Sequence, residues 1–436
     1  MDQQTMQVLR DAMAAGMKVA TGCTEPVAIA FAGATAQAQT SGAIERIMLR
    51  ASANIIKNAF VVGIPGTEFT GPKYAVAIGA VCGDPSRELE LLEGLDPAGV
   101  AQAAQLVQDG KVELDRAETP AKLYIEVELH TAADTVVVRV VGSHTHVDSI
   151  VKNGVVVYQN SCAAEGGDHT EGLNCRLADV YEFCTTAPLE EFSLVEQAIT
   201  LNSRIAQEGL TNDYGLQVGK TIREDVRAGA LANDTTNYAM TLAGAAADAR
   251  MAGVDLPVMS NSGSGNQGIA ATMPVVAVWE RVDGKDREKL IRACALSNLI
   301  TIYIKSRFGV LSALCGAVVA STGVASAVVW LRGGGLGEIA CAISNVLGNV
   351  AGMLCDGAKA SCALKISTCT NAAMLAATLA MRHLRVASNE GIVEQRPEYT
   401  IDNFALLGNE GSDELDRLIL DMIIHKKDAT DRKSVV

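Results

Sequence analysis

The chain has 436 residues, and its 36 lysines and arginines stand against 50 aspartates and glutamates, a formal net charge of −14. An acidic chain without a basic run offers little for a phosphate backbone to bind, so the composition argues against a nucleic-acid partner. Apolar residues make up 49% of the chain and aromatic residues only 4%. That pairing is typical of closely packed helices rich in small side chains, and it disfavours a β-sandwich.

The cellular setting is predicted from the N-terminus and the cysteines. The first ten residues lack a secretory signal pattern, and the eleven cysteines cannot all pair in disulfides, so a reducing, cytoplasmic location is expected. The uncharged run between Arg307 and Arg332 has the length of a membrane span, but it is mostly Ala, Gly, Ser and Val and lacks an aromatic belt. We interpret it as a buried helix, with no membrane partner. Small-residue helices are also compatible with a homodimer.

The N-terminal third is predicted to mix helices and strands. Residues 1–41 form two helices around a turn, since Met6, Leu9 and Met13 repeat at helical spacing and Pro26 suits a first turn. β-Branched, partly alternating segments then predict strands at 44–51, 111–114, 123–130, 135–142 and 155–158. A helix is predicted at 97–108, with proline in its first turn.

The rest of the chain is predicted to be helical from residue 189 onward. The clearest helices are 192–209, 222–233, 238–251, 286–305, 311–330, 339–355 and 372–385. The expected fold class is therefore α+β, a large all-α catalytic domain with an inserted smaller α/β domain. The expected boundaries are N-terminal helices over 1–42 that pack on the catalytic domain, the inserted domain over 43–185, and the all-α domain over 186–436.

A glycine-rich segment, residues 260–268, reads SNSGSGNQG and contains a formal G-x-G-x-x-G pattern. A dinucleotide site needs a strand before this pattern and an uninterrupted helix after it. Here the preceding segment is predicted to be helical, and Pro274 interrupts the helix on the other side. The segment is instead interpreted as a polar loop whose N–H, hydroxyl and amide donors suit a small carboxylate, with a plain structural turn as the alternative.

The cysteine spacing excludes some metal sites and favours another. No two cysteines form a C-x-x-C pair, so zinc-ribbon and thioredoxin motifs are absent. Cys315, Cys355, Cys362 and Cys369 lie in the most apolar part of the chain, where three thiolates favour a soft centre such as an iron–sulfur cluster. Buried core cysteines are the alternative interpretation.

Other candidate catalytic residues lie near the N-terminus and after a predicted strand. Cys23 precedes a predicted helix start, where a thiol with a lowered pKa suits a base or nucleophile; a simple helix cap at Thr21 or Thr24 is the alternative. His144, in a Gly-Ser-His-Thr-His segment, is placed to handle a proton, although paired surface histidines are commoner. Asn54 and Asn58 precede a loop that offers further donors, although the loop taken alone is better explained as an ordinary solvated turn.

Together these motifs resemble the cysteine desulfidase family, which is related to the α-domain of the iron–sulfur L-serine dehydratases. The resemblance is carried by residues 22–26, 142–145, 259–268, 355–358 and 362, and it extends to about residue 385. In that family the cluster cysteines are spaced by forty and then seven residues. The resemblance therefore implies that Cys315, Cys355 and Cys362 hold a [4Fe-4S] cluster and that Cys369 is a core residue. The C-terminal cysteine tail of serine dehydratases is not evident in this chain.

The resemblance implies a β-elimination without pyridoxal phosphate (PLP), in which L-cysteine gives pyruvate, ammonia and sulfide. The alternatives are the same reaction on L-serine or a related amino acid, and an iron–sulfur protein that binds an amino acid without turning it over. The base is Cys23 by analogy, or His144 from the sequence pattern. The residues expected to bind the amino-acid substrate are Thr24, Glu25, Asn54, Asn58, Ser260, Asn261, Ser262, Gly263, Ser264, Gly265, Asn266 and Gln267.

Overall fold

The computed structural model of the protein describes residues 1–22, 24–160, 172–282, 284–307 and 312–424. The helices are α1 (Gln3–Gly16), α2 (Thr24–Gln37), α3 (Ala53–Ala59), α4 (Pro72–Cys82), α5 (Pro97–Gln108), α6 (Leu177–Thr186), α7 (Ser193–Thr211), α8 (Val218–Arg227), α9 (Thr235–Met251), α10 (Gly265–Glu280), α11 (Arg287–Lys305), α12 (Gly316–Leu331), α13 (Leu336–Val350), α14 (Cys362–Ala380), α15 (Pro397–Glu410) and α16 (Ser412–Ile424). The strands are β1 (Val19–Thr21), β2 (Ile44–Ala51), β3 (Val112–Arg116), β4 (Tyr124–Thr131), β5 (Thr135–Val141), β6 (Val147–Lys152), β7 (Val155–Gln159) and β8 (Pro257–Met259). This mixture confirms the predicted α+β class.

The main sheet has six strands in the order β3-β2-β4-β5-β6-β7. Strands β2 and β3 run parallel, and the other neighbours are antiparallel. In β5, Val136, Val138 and Val140 are buried and the residues between them are partly exposed, as expected for a sheet with one covered face. Helices α2 and α4 pack on each other and on this sheet, forming the smaller of two apolar cores.

The larger core is helical, and α12 lies within it. The residues of α12 from Ala317 to Val329 are buried on every side of the helix, which explains why the segment carries no charge. The helix begins at Gly316, five residues later than the sequence pattern predicts. In the part of the chain that the structure describes, no helix combines the length and the apolar character needed to cross a bilayer.

The N-terminal segment contributes to both cores. Leu9, Met13 and Met17 pack in the helical core, whereas α2 belongs to the sheet core from Val27 to Ala36. Helix α16 packs against α3 at the other end of the chain. The expected boundaries at residues 42 and 185 stay predictions.

The contact between α2 and α4 depends on small residues. A Cβ atom on Gly79 would lie 2.0 Å from the carbonyl oxygen of Ala30, so Gly79→Ala must push the two helices apart. We expect this variant to lower the free energy of unfolding by about 1–3 kcal/mol, measured by denaturant titration. The control is Gly337→Ala in α13, where a Cβ atom meets nothing within 4 Å and higher helix propensity favours the variant. Equal effects of the two substitutions would contradict the close-packing argument.

Candidate active site

A cavity with a volume of about 120 Å³ lies where the two parts of the fold meet. It is bounded by the start of α2, the 260–268 loop, and the segments that lead into α12 and α14. The residues predicted from the sequence that line it are Thr24, Glu25, Asn58, His144, Ser262, Gly263, Ser264, Asn266, Gln267, Cys315, Cys355 and Cys362. Asn54, Ser260, Asn261 and Gly265 are absent from its lining, and Cys23 lies outside the described residues.

The three predicted cluster cysteines are brought to this cavity by backbone pairing and helix starts. The Cys315 amide donates to the Met353 carbonyl at 2.9 Å, and the Cys355 amide donates to the Ala313 carbonyl at 2.7 Å, so the segments around Cys315 and Cys355 run side by side. Cys315 is the N-cap of α12 and Cys362 is the first residue of α14. The positive end of a helix dipole therefore lies beside each of these two thiols, which favours a negatively charged ligand there.

Helix α13 ends earlier than the sequence pattern predicts. The pattern predicts a helix to residue 355, but α13 ends at Val350, so Cys355 lies in the loop that leads towards α14. A buried lysine fixes this loop: Lys57 Nζ donates to the Cys355 carbonyl at 3.1 Å and forms an ion pair with Asp416 of α16. The position of Cys355 therefore depends on α3 and α16 as well as on its own neighbours.

Burial and a nearby lysine have opposite effects on the ionisation of the cavity thiols. Burial raises the pKa of Cys315, and the nearby Cys355 adds to the shift; burial also raises the pKa of Cys362. Burial disfavours the charge on Lys365, yet its hydrogen bond with Asp356 keeps the pKa of this lysine above its ordinary value. Burial therefore favours the protonated thiols, while the charge of Lys365 acts in the opposite direction on Cys362.

The donor set fits an iron–sulfur cluster better than a single ion. In the described ranges, no group of three Cys, His, Asp or Glu side chains is arranged to hold one metal ion. Cysteine ligands of a four-iron cluster bind different iron atoms, so they stand farther apart than the ligands of one ion. Three thiols on one cavity, two of them at helix N-termini, have the chemistry that such a cluster requires.

Cys369 has a different environment from the three cavity cysteines. It is 2% exposed and does not line the cavity. Its Sγ atom lies 3.5 Å from the Met353 sulfur, and burial raises its pKa to about 12. These contacts are those of a packed core thiol.

The glycine-rich loop begins after a strand, which corrects two expectations. The preceding residues form β8, paired antiparallel with β1, and are not helical. Pro274 lies inside α10 and does not interrupt it, because a helix flanked by packed neighbours tolerates one missing N–H donor. A dinucleotide site needs a parallel βαβ unit, and β8 pairs only with β1, in an antiparallel ladder, among the described strands. The strand order therefore argues against a dinucleotide site, in place of the two sequence arguments.

Two loop residues hold the loop in place, away from the cavity. The Ser260 hydroxyl donates to the Lys18 carbonyl at 2.7 Å, and Asn261 Nδ2 donates to Asn298. Ser264 caps α10 by accepting from the Gln267 amide at 3.3 Å. Ser264, Asn266 and Gln267 at the start of α10 line the cavity, where the positive end of the helix dipole favours an anion.

A polar group on the α2 side of the cavity leaves one acceptor unused. Asn58 Nδ2 donates to Glu25 Oε1 at 2.9 Å, and Thr24 Oγ1 lies 3.2 Å from Glu25 Oε2. The second amide atom, Asn58 Oδ1, is buried and has no hydrogen-bond partner among the described residues. A buried acceptor left without a donor is costly, so this side of the cavity suits a ligand that donates hydrogen bonds.

His144 lies between this cavity and a larger one of about 900 Å³ that reaches α1. Its Nε2 atom is buried, and no described residue forms a hydrogen bond with it. Burial lowers the pKa of His144, and the negative charge of Glu25 opposes the shift in part. The imidazole is therefore neutral at neutral pH, with a nitrogen available inside the site.

The lowered pKa of His144 predicts a specific loss of stability in acid. Below pH ~6.5 the unfolded chain binds a proton at this histidine that the folded chain excludes, so stability falls as the pH drops towards the folded pKa. We expect the free energy of unfolding to fall more between pH ~7.5 and ~5.5 in the unmodified protein than in His144→Gln. An equal fall in both proteins would show that His144 is not buried in its neutral form.

The sequence analysis missed Arg250, which also lines the cavity. It is 4% exposed, and no carboxylate in the described part of the chain forms an ion pair with it. Its guanidinium donates to the Gly22 carbonyl at 2.7 Å and to Asn266 Oδ1 at 3.3 Å, while Nε is buried and has no partner in the described ranges. A Cβ on Gly265 would lie 2.3 Å from Nε, so a side chain at 265 would displace this guanidinium from its present position.

Comparison with known proteins gives the family. A family model described as serine dehydratase alpha chain matches residues 99–421, and the chain belongs to that family. This confirms the predicted relation to the α-domain of serine dehydratases. The chain is 43% identical to a UPF0597 protein of Oleidesulfovibrio alaskensis over 410 residues, 94% of this chain and 95% of that protein. It is 42% identical to a UPF0597 protein of Photobacterium profundum over 412 residues, 93% and 96% of the two chains.

Proposed function

We propose that the protein is a lyase that catalyses the PLP-independent, [4Fe-4S]-dependent β-elimination of L-cysteine to pyruvate, ammonia and sulfide. The observation that carries this proposal is the single cavity that combines three thiols with unpaired polar groups, in a chain of the serine dehydratase alpha chain family. Cys315, Cys355 and Cys362 would hold the cluster. When bound, it supplies a Lewis-acidic iron that makes the β-substituent a better leaving group.

The unpaired groups match the charges of an amino acid. Arg250 has no ion-pair partner in the described ranges and is assigned to the substrate carboxylate, together with the amides at the start of α10. Asn58 Oδ1, supported by the neighbouring Glu25, is assigned to the substrate ammonium. An anion receptor and an ammonium receptor in one small cavity fix the orientation of the Cα–H bond, which is a prerequisite for fast proton removal.

His144 is assigned as the base that removes the Cα proton. Its neutral, unpartnered Nε2 atom and its place in the cavity lining support this role. As the proton leaves Cα, the Cβ–S bond breaks and sulfide departs. The resulting enamine rearranges to an imine, which water hydrolyses to pyruvate and ammonia. Cys23, the base by analogy, is the alternative. Comparing the activities of Cys23→Ala and His144→Ala would distinguish the two candidate bases.

L-Serine is the second candidate substrate, because the matching family is described by that amino acid. Its hydroxyl would take the place of the thiol, and the carboxylate and ammonium contacts would be the same. Sulfide leaves more readily than hydroxide, so the two substrates differ mainly in the leaving-group step.

The test is an anaerobic assay of reconstituted protein with L-cysteine and with L-serine. Pyruvate and sulfide are measured together with the visible absorbance of an iron–sulfur chromophore. We expect pyruvate formation to require the chromophore, and the ratio of the two rates identifies the substrate. A loaded cluster without pyruvate from either amino acid would contradict the lyase proposal and favour an amino-acid-binding protein. Failure to load iron would contradict the proposal that the three cysteines hold a cluster.

A further inference from the structure

A second polar cavity, of about 280 Å³, lies at the far end of α9 and α10 from the candidate active site. Three arginines line it: Arg223 and Arg227 from α8, and Arg281 directly after α10. No carboxylate is among its lining residues, and in the described part of the chain none of the three forms an ion pair. A convergence of three unpaired positive charges is unusual in a chain with a net charge of −14.

The guanidinium groups are positioned, yet they keep unused donors. Arg223 donates to the Leu210 carbonyl at 2.7 Å, but its Nε atom is buried and meets no acceptor in the part of the chain that the structure describes. Arg281 donates to Asn233 Oδ1 at 2.8 Å, and its guanidinium lies 4.6 Å from the centre of the Tyr238 ring. Arg227 is exposed and has no side-chain hydrogen bond among the described residues. Arg227 and Arg281 are exposed to solvent, but the buried Arg223 Nε has no acceptor among the described residues, and three like charges line one cavity. Both features cost free energy, and a bound anion would reduce both costs.

We propose that this cavity binds the phosphate group of a small phosphorylated molecule. Guanidinium groups form paired hydrogen bonds with phosphate oxygens, and three of them match the charge and the several oxygens of a phosphate dianion. The aliphatic side chains of Leu210, Val226 and Leu242 line the same cavity and offer an apolar wall to the rest of the ligand.

This site is separate from the candidate active site. Tyr238 and Arg250 lie twelve residues apart on α9, about 18 Å along the helix axis. Asn266 and Arg281 mark the opposite ends of α10 in the same way. The proposal therefore does not depend on the proposed lyase activity, although the two sites share two helices.

The test is isothermal titration of the full chain with sodium pyrophosphate at constant ionic strength. We expect saturable binding that weakens at least tenfold in Arg227→Gln and in Arg223→Gln. Arg227 bonds nothing in the described structure, so its variant retains the fold, and an unchanged melting temperature without ligand checks this. The matched control is Arg382→Gln, another exposed arginine without an ion pair in the described ranges, which lies outside the cavity and is expected to bind as the parent does.

Three outcomes would overturn the proposal. They are no pyrophosphate binding, binding that Arg227→Gln leaves unchanged, and an equal loss in Arg382→Gln. A parallel titration with citrate separates phosphate from polycarboxylate ligands. Citrate binding without pyrophosphate binding would overturn the assignment to a phosphate group.

Discussion

Replacing Cys355 with serine is expected to abolish iron loading and, with it, pyruvate formation. Cys355 is tied to the segment of Cys315 by backbone hydrogen bonds and lines the same cavity as Cys362. A serine hydroxyl is a much poorer ligand for iron than a thiolate, so the remaining two cysteines would not retain a cluster. The measurement is the visible absorbance and iron content after anaerobic reconstitution, followed by the pyruvate assay.

The controls for this prediction are other cysteines of the same chain. Cys341→Ser changes a partly exposed thiol on α13 that does not line the cavity, and it should leave both readouts intact. Cys369→Ser changes the buried neighbour of Met353 and should retain the cluster even if it lowers stability. If Cys369→Ser lost iron and Cys355→Ser kept it, the assignment of ligands by spacing would be wrong.

The sequence predicted well those helices and strands whose bounds are set by residues within or next to the element. The strand at 44–51 and the helix at 97–108 have the predicted bounds. The strand was predictable because its apolar residues partly alternate with polar ones. The helix starts with proline at its first position and has Asp96 as N-cap, which accepts from the Ala98 and Gly99 amides. In both cases the information lies within a few residues of the element.

Elements that depend on distant pairing were missed. Strands β1 and β8 have three residues each and exist because Val19 pairs with Met259, far along the chain. Strand β6 alternates weakly, since Asp148 and Ser149 interrupt its apolar residues. Helix α10 continues through Pro274 because packed neighbours hold it in the helical core. Such tertiary contacts leave no local pattern.

The candidate site shows the same limit. The cysteine spacing and the motifs predicted the three cysteines, His144 and most of the glycine-rich loop as site residues, and these residues line one cavity. The loop pattern did not predict which loop residues face that cavity. Ser260 and Asn261 instead hold the loop to its neighbours. Arg250 had one sequence signal, a lone cation at the end of a helix rich in alanine, ten residues before the glycine-rich segment. Its role became visible only when the burial of its guanidinium was known.

Arg250→Met is expected to reduce kcat/KM for the amino-acid substrate by about 100-fold, because a buried hydrogen bond to a charged group contributes roughly 1.5–3 kcal/mol. The loss should appear mainly in KM if the guanidinium binds the carboxylate throughout the reaction. Arg250 also bonds the Gly22 carbonyl and Asn266, so a structural role has to be separated from a binding role. Unchanged chromophore absorbance and melting temperature would show that the fold and the cluster survive.

A ligand without a carboxylate separates the two roles of Arg250 directly. Cysteamine has the thiol and the amine of L-cysteine but no carboxylate, and its inhibition constant is compared with the KM for L-cysteine. In the parent protein L-cysteine should bind much more tightly than cysteamine, and in Arg250→Met this preference should shrink by the share of the carboxylate binding that Arg250 contributes, while the affinity for cysteamine stays the same. If the variant weakened both ligands equally, Arg250 would act by holding Gly22 and Asn266 in place, and the carboxylate would be bound by the amides at the start of α10.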